Sequence, residues 1–225
     1  FEGKSIPNRL HIDFHNFNNN EESLESDKIV RLRKKVFDYR KNRTKLHKDD
    51  KILTSWNGIM IAAFAKAYMI LQNEKYLNAA QEGEQFIQDK LSKDRRLMVH
   101  YRDGSSTGIG HIDDYAFYIW ALLSLYEATW NVYYLEKSIE YSRVMVKQFF
   151  DWEKGGFYLY SEEGEQLIHR PKEVYDGAIP SGNSVAAYVL SKLASFTGDI
   201  FISKTAEKQM EFIMKQAADY PSSHT

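Results

Sequence analysis

The feature that most constrains the fold is an internal repeat of three long apolar segments. Aligned without gaps, each segment opens with polar or small residues, continues as a helix that is apolar nearly all round, and reaches a short polar break. The segments are WNGIMIAAFAKAYMILQNEKYL (56–77), DYAFYIWALLSLYEATWNVYYL (114–135) and SGNSVAAYVLSKLASFTGDIFI (181–202). A helix without a polar face must be covered on all sides, so the repeat predicts a buried inner layer of helices.

A second helix of a different kind follows each break. Over 76–91, 134–150 and 201–217 the apolar residues fall on one stripe, with charged residues opposite. A striped helix keeps one face in water, so we expect these helices to form an outer layer. Helical hairpins that recur in this way predict a curved α/α array.

Three such hairpins predict half of a closed (α/α)6 toroid, an all-α fold with short β-hairpins in its rim loops. A preceding helix over 24–41 carries its apolar residues on one stripe, which indicates the outer helix of an earlier unit. We therefore expect residues 1–225 to be a fragment of a single toroid domain. The fragment would begin in the middle of a repeat and end before the ring closes.

Two long connections, 92–113 and 151–180, lead from an outer helix to the next inner helix. Each contains an alternating stretch and then a turn with Gly104 or Gly164, which predicts a short β-hairpin. In a toroid the inner-helix N-termini surround one mouth of the central cavity, so polar side chains at these starts converge there. The predicted rim residues are Asp49, Asp50, Trp56, Asn57, His111, Asp113, Asp114, Tyr115, Arg170, Asp176, Ser181 and Asn183. Carboxylates, amides, an arginine and aromatic rings suit a polyhydroxylated ring as ligand.

Three motifs at the same positions resemble the YyaL family, which includes spermatogenesis-associated homologues in animals. The motifs are DDKILTSWNGIMIAAFAKA (49–67), HIDDYAFYIWALLSLYEAT (111–129) and RPKEVYDGAIPSGNSVAAYVLSKLASFTGD (170–199). The resemblance runs over essentially the whole chain and implies a toroid similar to those of six-hairpin glycosidases and N-acylglucosamine 2-epimerases. It also implies an N-terminal thioredoxin-like domain and final hairpins that this chain lacks. The resemblance supports the fold far more strongly than it supports a particular reaction, because one fold hosts many functions.

Glycoside hydrolysis is the first functional hypothesis. It needs one carboxylic acid to protonate the leaving oxygen and a second carboxylate to activate water or attack. Asp114 and Asp176 form the predicted pair, with Asp50 in reserve, because the pair occupies rim positions in adjacent repeats. The alternative for Asp114 is a helix cap, and the alternative for Asp176 is an ordinary Asp-Gly turn.

Sugar epimerisation or isomerisation is the second hypothesis. It needs bases that remove a proton beside a carbonyl, and His111 and His169 precede successive inner helices. The alternative for each is a hydrogen-bonded surface histidine.

A binding or scaffold module without chemistry is the third hypothesis. The predicted ligand contacts are Trp56, Asn57, His111, Tyr115, Arg170 and Asn183. The alternatives are core packing for the tryptophan and tyrosine and helix capping for the two asparagines.

Composition narrows the chemistry further. The chain has no cysteine, which excludes disulfides, thiol catalysis and cysteine-ligated metal and agrees with a reducing, cytoplasmic location. A net charge of −1 argues against nucleic acid as a partner, and no apolar run is long enough for a membrane span. His11 and His15 lie in an asparagine-rich stretch typical of a loop, so no metal site is predicted. We expect no cofactor, a small-molecule or oligosaccharide ligand, and self-association through the apolar edge of a truncated ring.

Overall fold

The computed structural model describes residues 27–43, 47–164, 168–219 and 221–223. The chain divides between Asp49 and Asp50 into two units. The described part of the first unit is an amphipathic helix, α1 (Asp27–Lys41), with its apolar residues on one stripe. It corresponds to the predicted preceding helix, whose residues 24–26 lie outside the described part of the chain.

The second unit is built from three helical hairpins, which confirms the predicted α/α arrangement. The helices are α2 (Thr54–Leu71), α3 (Glu74–Phe86), α4 (Ile112–Thr129), α5 (Val132–Phe149), α6 (Gly182–Thr197) and α7 (Ile200–Asp219). Helix α3 continues into a π-helical turn at Ile87–Leu91, and a 3₁₀ turn at Pro221–Ser223 follows α7.

The same short turn joins the two helices of every hairpin. The first helix stops at a residue with left-handed backbone, whose N–H donates to the carbonyl four residues back. The next residue is Asn73, Asn131 or Asp199, and its side chain accepts a main-chain N–H from the first turn of the second helix. The polar breaks of the sequence repeat are therefore a helix stop followed at once by an N-cap.

The inner layer consists of α2, α4 and α6, with α4 in the middle. Helix α4 is buried nearly all round, as the repeat predicted. Helix α2 packs so closely on α4 that a Cβ atom on Gly58 would lie 2.8 Å from the backbone carbonyl of Phe117. Within the described residues α2 has one inner-helix neighbour, and Met60, Ile70 and Leu71 on it are exposed. The prediction that an inner helix is covered on all sides is therefore confirmed for α4 and is wrong for α2.

The outer helices α3, α5 and α7 each pack by one face, as their stripes predicted. Helix α5 buries Tyr134, Tyr141 and Phe149 along one side. One buried carboxylate lies in this layer among the described residues: Glu84 of α3 accepts a hydrogen bond from the hydroxyl of Tyr118 at 2.9 Å. Burial raises the pKa of Glu84.

A small antiparallel sheet covers the starts of α2 and α4. Its strands are β1 (Ile52–Leu53), β2 (Ser92–Lys93), β3 (Arg96–Arg102) and β4 (Ser105–Ile109), and β3 pairs with each of the others. The turn between β3 and β4 uses left-handed backbone at Asp103 and Gly104, which suits a two-residue hairpin. This is the β-hairpin predicted in 92–113. Thr54 of α2 donates to the carbonyl of Met98 at 2.5 Å and ties the helix start to β3.

The second predicted β-hairpin, in 151–180, does not form among the described residues of that segment. A single bridge pairs Phe150 with Phe157, and the chain between them loops around Asp151. The Asp151 carboxylate accepts the main-chain N–H groups of Glu153 and Lys154, which turns the chain where a strand would have to continue straight.

Packing at Gly58 can be tested by Gly58→Ala. In a helix this exchange alone favours folding by about 1 kcal/mol, but the added methyl group meets the backbone of α4, so we expect a net loss of about 2 kcal/mol in the free energy of unfolding. Gly83→Ala is the matched control, because its new methyl group would meet the movable side chain of Ile61 at 3.0 Å. Denaturant unfolding measures both; an equal or higher stability for Gly58→Ala would contradict the close helix contact.

Candidate functional site

Two consecutive carboxylates on α4 join the starts of all three inner helices. Asp114 accepts the main-chain N–H of Ser55, in the first turn of α2, at 3.0 Å. The side chain of Asp113 lies against Gly182, the first residue of α6, where an added Cβ atom would overlap its Oδ1. The three helix starts therefore meet at one mouth, where Asp114 of α4 also accepts an N–H group that lacks a helical partner.

Asp114, the first of the predicted catalytic acids, has a capping role in this structure. Its second carboxylate oxygen accepts the N–H of His111 at 2.9 Å, and only 2% of the residue is exposed. Burial raises the pKa of Asp114 to about 7, although the hydrogen bonds from main-chain N–H groups oppose the rise. The contacts match the capping alternative, and a catalytic role stays a prediction.

Asp176 and Asp50, the other two predicted catalytic acids, lie in different surroundings. Asp176 is buried, and one of its oxygens accepts the N–H of Ser181 at 2.8 Å just before α6. Asp50 lies at the surface, with a carboxylate oxygen 2.9 Å from Nε of Arg102. Catalytic roles for these two residues also stay predictions.

Two predicted ligand contacts, Tyr115 and Asn183, lie in the interior and are fully buried. The hydroxyl of Tyr115 accepts the N–H of Leu97 at 3.1 Å. Asn183 accepts the N–H of Phe157 at 2.7 Å and donates to the carbonyls of Phe157 and Glu173. Each side chain thus fastens a rim segment to an inner helix instead of bordering open space; the N-cap of α6 is Ser181 and not Asn183.

The predicted contacts Trp56, Asn57 and Arg170 lie nearer the surface. Trp56 is 63% exposed, whereas the amide of Asn57 donates to the carbonyl of Leu53 at 2.8 Å. The guanidinium of Arg170 stacks on the ring of Tyr158, 4.3 Å from its centre, and donates to main-chain carbonyls. Of these three, Trp56 presents the most free surface to a ligand.

His111 lines a cavity of about 390 Å³ below the β3–β4 hairpin. Its ring meets the ring of Tyr160 edge-on, with centres 5.1 Å apart. Burial lowers the pKa of His111, and the negative charge of Glu173 opposes this, so the neutral imidazole is the favoured form. His169, the second predicted base, is exposed.

One side of α4 stays open to solvent in an otherwise buried helix. Between residues 112 and 125 only Asp113 and Trp120 are not buried. They are seven residues apart, which places them on the same side of the helix, two turns from each other. The open side of α4 therefore presents a carboxylate at the mouth and an indole ring deeper along the helix.

Helix α6 presents a matching open side. Between residues 181 and 190 only Ser184 and Tyr188 are not buried. The ring of Tyr188 meets that of Trp120 with centres 5.8 Å apart and planes at 69°. We call the space along these two open sides the hollow; its aromatic part is a cavity of about 280 Å³ that Pro180 and Val185 also line.

Asp113 is the carboxylate of the hollow whose proton affinity is altered. Burial, and next the negative charge of Glu173, raise the pKa of Asp113 to about 6, although the N–H of Gly182 favours the ionised form. The negative charge of Glu173, an exposed residue, acts on the pKa of both Asp113 and His111. A partly accessible acid with a raised pKa and a second carboxylate near it is an arrangement typical of proton transfer.

Sequence reasoning included Asp113 among the rim residues but assigned the acid role to Asp114, and it missed Glu173, Trp120 and Tyr188. A signal for Trp120 was present, because it lies one heptad after Asp113 in a helix that is apolar nearly all round. Glu173 lies in an irregular segment, where no periodicity points to its neighbours.

Another cavity, of about 580 Å³, lies between α6 and α7 and away from the mouth. Its lining on α6 comes from the C-terminal half of the helix, at Ser191 and Ala194, and on α7 it includes Met210 and Met214. No group of three or more His, Asp or Glu side chains among the described residues is arranged for a metal ion; the two histidines at 11 and 15 lie outside those residues. None of the described helices is long and apolar enough to cross a bilayer.

Comparison with known proteins confirms the resemblance that the three motifs predicted. The chain is 36% identical to spermatogenesis-associated protein 20 of Rattus norvegicus and 35% identical to that of Homo sapiens, over 175 residues in each case. The matched part is 73% of this chain, and it spans 22% of the length of each relative. No protein-family model matches the chain.

Solved structures confirm the fold. The cellobiose 2-epimerase from Bacillus thermoamylovorans superposes with a TM-score of 0.60 at 17% identity, covering 74% of this chain and 45% of that one. A GH76 alpha-mannanase of Bacteroides thetaiotaomicron superposes with a TM-score of 0.60 at 16% identity, covering 75% of this chain and 46% of that one. At such low identity these likenesses establish a glycosidase- and epimerase-like α/α-toroid fold and nothing finer.

The altered proton affinity of Asp113 predicts a pH-dependent gain in stability for Asp113→Asn. The folded-state pKa of about 6 lies above the ordinary value of 3.8, so ionisation of Asp113 lowers the stability of the folded state as the pH rises between these values. Asn removes this cost, and we expect a gain on the order of 1–2 kcal/mol above pH 6 that shrinks toward pH 4. Denaturant unfolding at several pH values measures it, with Glu136→Gln on the exposed side of α5 as control. A difference that does not change with pH would contradict the assignment.

Proposed function

We propose that this domain binds a carbohydrate in the hollow and hydrolyses a glycosidic bond there, with Asp113 as the proton donor. The observation that carries the proposal is a carboxyl group on the open side of α4 whose pKa is raised to about 6. Near that pH the group is protonated in a large fraction of molecules, and it can give the proton to a leaving oxygen.

Glu173 is the second carboxylate in this proposal. Its charge is one cause of the raised pKa of Asp113, so the two groups are near enough to interact. In hydrolysis the ionised partner activates water or attacks the sugar carbon, while the protonated partner supplies the proton.

Fold relatives support a sugar as the ligand. Two solved structures with this arrangement of helices are described as an alpha-mannanase and a cellobiose 2-epimerase. The hollow offers what a sugar ring needs: a carboxylate for its hydroxyl groups and aromatic rings for its C–H face. Either neighbour's chemistry remains a proposal for this chain, because both share the fold at low identity.

Asp113 is preferred to the predicted acid Asp114 because of access. Both have a raised pKa, but Asp114 is 2% exposed and both of its oxygens hold main-chain N–H groups. A substrate would have to break one of those bonds to reach it, whereas Asp113 already faces the hollow. Asp176, with its bond to Ser181, faces a similar restriction.

Epimerisation is the second candidate, and His111 is the observation that favours it. The imidazole is favoured in its neutral form, borders a cavity, and has a pKa on which the charge of Glu173 acts. A neutral imidazole can accept the proton next to a carbonyl. The thioredoxin-like domain, the cytoplasmic location and self-association stay predictions for the protein as a whole.

The proposal predicts that Asp113→Asn abolishes turnover and keeps binding. General acid catalysis contributes roughly 10²–10⁴-fold, so a loss of that size is expected in kcat with little change in affinity. The assay follows reducing-end release and 2-epimer formation with mannan oligosaccharides and cellobiose, and Glu136→Gln serves as the surface control.

Each outcome separates the candidates. Turnover retained by Asp113→Asn but lost by Asp114→Asn would return the acid role to Asp114. Loss confined to His111→Gln, with 2-epimer as product, would favour epimerisation. Binding without any turnover in the unaltered protein would leave only the binding module.

A further inference from the structure

Along the open sides of α4 and α6, an aromatic corner and then an ion pair follow Asp113, and we call this ion pair the floor. Two turns below Asp113, Trp120 and Tyr188 form an aromatic corner. One further heptad along α4, Glu127 binds Lys192 of α6, with Oε2 and Nζ 2.6 Å apart. The same ammonium group also lies 3.2 Å from the hydroxyl of Tyr188, so the floor is linked to the corner.

We infer that the aromatic corner of Trp120 and Tyr188 is a second sugar subsite, and that the site therefore takes a neutral oligosaccharide of at least two units. This inference rests on the proposed function, because it places the cleaved bond beside Asp113. It adds the length and the charge of the ligand, neither of which the two carboxylates specify.

The spacing of Asp113 and Trp120 on one helix indicates the length of the ligand. Seven residues of α-helix separate Asp113 from Trp120, which is a rise of roughly 10 Å. That distance is too long for one sugar ring to touch both groups and is suited to about two linked rings. A monosaccharide can therefore occupy the mouth or the corner, but only a longer ligand can occupy both at once.

The shape of the corner favours a ring with an apolar face. The planes of Trp120 and Tyr188 meet at 69°, so one ring can lie under a sugar while the other closes its side. Pro180 and Val185 extend the apolar wall, and Ser184 offers a hydroxyl at its edge. Sugar rings combine such C–H faces with hydroxyl groups around their rim.

Charge selects a neutral ligand. At the floor the carboxylate of Glu127 and the ammonium of Lys192 neutralise each other, and both side chains are mostly buried, with 24% and 18% exposed. At the mouth, Asp113 and Glu173 are both acidic. An anionic sugar would meet repulsion at the mouth and no unpaired cation at the floor.

The experiment measures binding of cellobiose, mannobiose, their monosaccharides and cellobiouronic acid to the protein by calorimetry. We expect each disaccharide to bind about tenfold or more tightly than its monosaccharide and the acidic disaccharide to bind more weakly than the neutral one. Trp120→Ala should remove the disaccharide advantage, and Trp120→Phe, which keeps a ring in the wall, should retain part of it. Trp152→Ala is the matched control, because this half-exposed indole packs against Phe150 and Phe201, outside the hollow.

Failure of the inference differs from failure of the proposed function. Equal affinity for monosaccharide and disaccharide, or an unchanged advantage in Trp120→Ala, overturns the second subsite even if Asp113→Asn has lost its turnover. A disaccharide advantage that Trp120→Ala removes, together with full turnover in Asp113→Asn, supports the subsite and overturns the acid role. Absence of all sugar binding in the unaltered protein overturns both.

Discussion

An α-helix begins with N–H groups that have no partner in the helix, and its dipole puts partial positive charge at that end. Where three inner helices begin side by side, their N–H groups need acceptors and their partial charges repel. Asp114 supplies an acceptor to the start of α2, and Asp113 of the same helix lies against Gly182 at the start of α6. The rotation of α4 that directs one acid to each neighbour also directs Trp120 into the hollow.

Local signals made the hairpins predictable from the sequence. Each turn consists of a left-handed stop followed by an Asn or Asp cap, and each inner helix is apolar at nearly every position, so the order of helices and layers follows from short-range chemistry. The segment 151–180 was not predictable in the same way. Its alternation suggested a hairpin, but the carboxylate of Asp151 gathers main-chain donors from its own loop, and that preference depends on side-chain contacts that periodicity does not contain.

The division of roles between adjacent acids is also beyond sequence patterns. Neighbouring helix residues point about 100° apart, so whether Asp113 or Asp114 faces the hollow depends on the rotation of α4 about its axis. Close packing sets that rotation: α2 approaches at Gly58, where the backbone of Phe117 leaves no room for a Cβ atom. Sequence reasoning placed both Asp113 and Asp114 at the mouth and chose Asp114 with Asp176 as the acids, which stays a prediction; which of the two neighbouring acids faces the hollow depends on the tertiary contact that turns the helix.

A raised pKa alone does not mark the site, as Glu84 makes clear. Burial raises the pKa of Glu84, but its carboxylate is enclosed by the outer layer and accepts a hydrogen bond from Tyr118. Asp113 differs because it is only partly buried and lies on the same helix face as Trp120. Glu84 is enclosed, and a hydrogen bond holds its carboxylate in place. At the hollow, the raised pKa keeps the proton on Asp113 in a larger fraction of molecules, where a ligand can take it.

The proposed acid, Asp113, and Trp120 of the aromatic corner lie on the same helix, α4. Asp113 and Trp120 are held at a fixed separation by the backbone of α4, and α4 is clamped on both sides by its inner neighbours. Glu173, in contrast, belongs to an irregular connection between α5 and α6. The distance between acid and subsite is thus a property of the rigid core, while the position of the second carboxylate depends on a segment fastened to that core by Asn183.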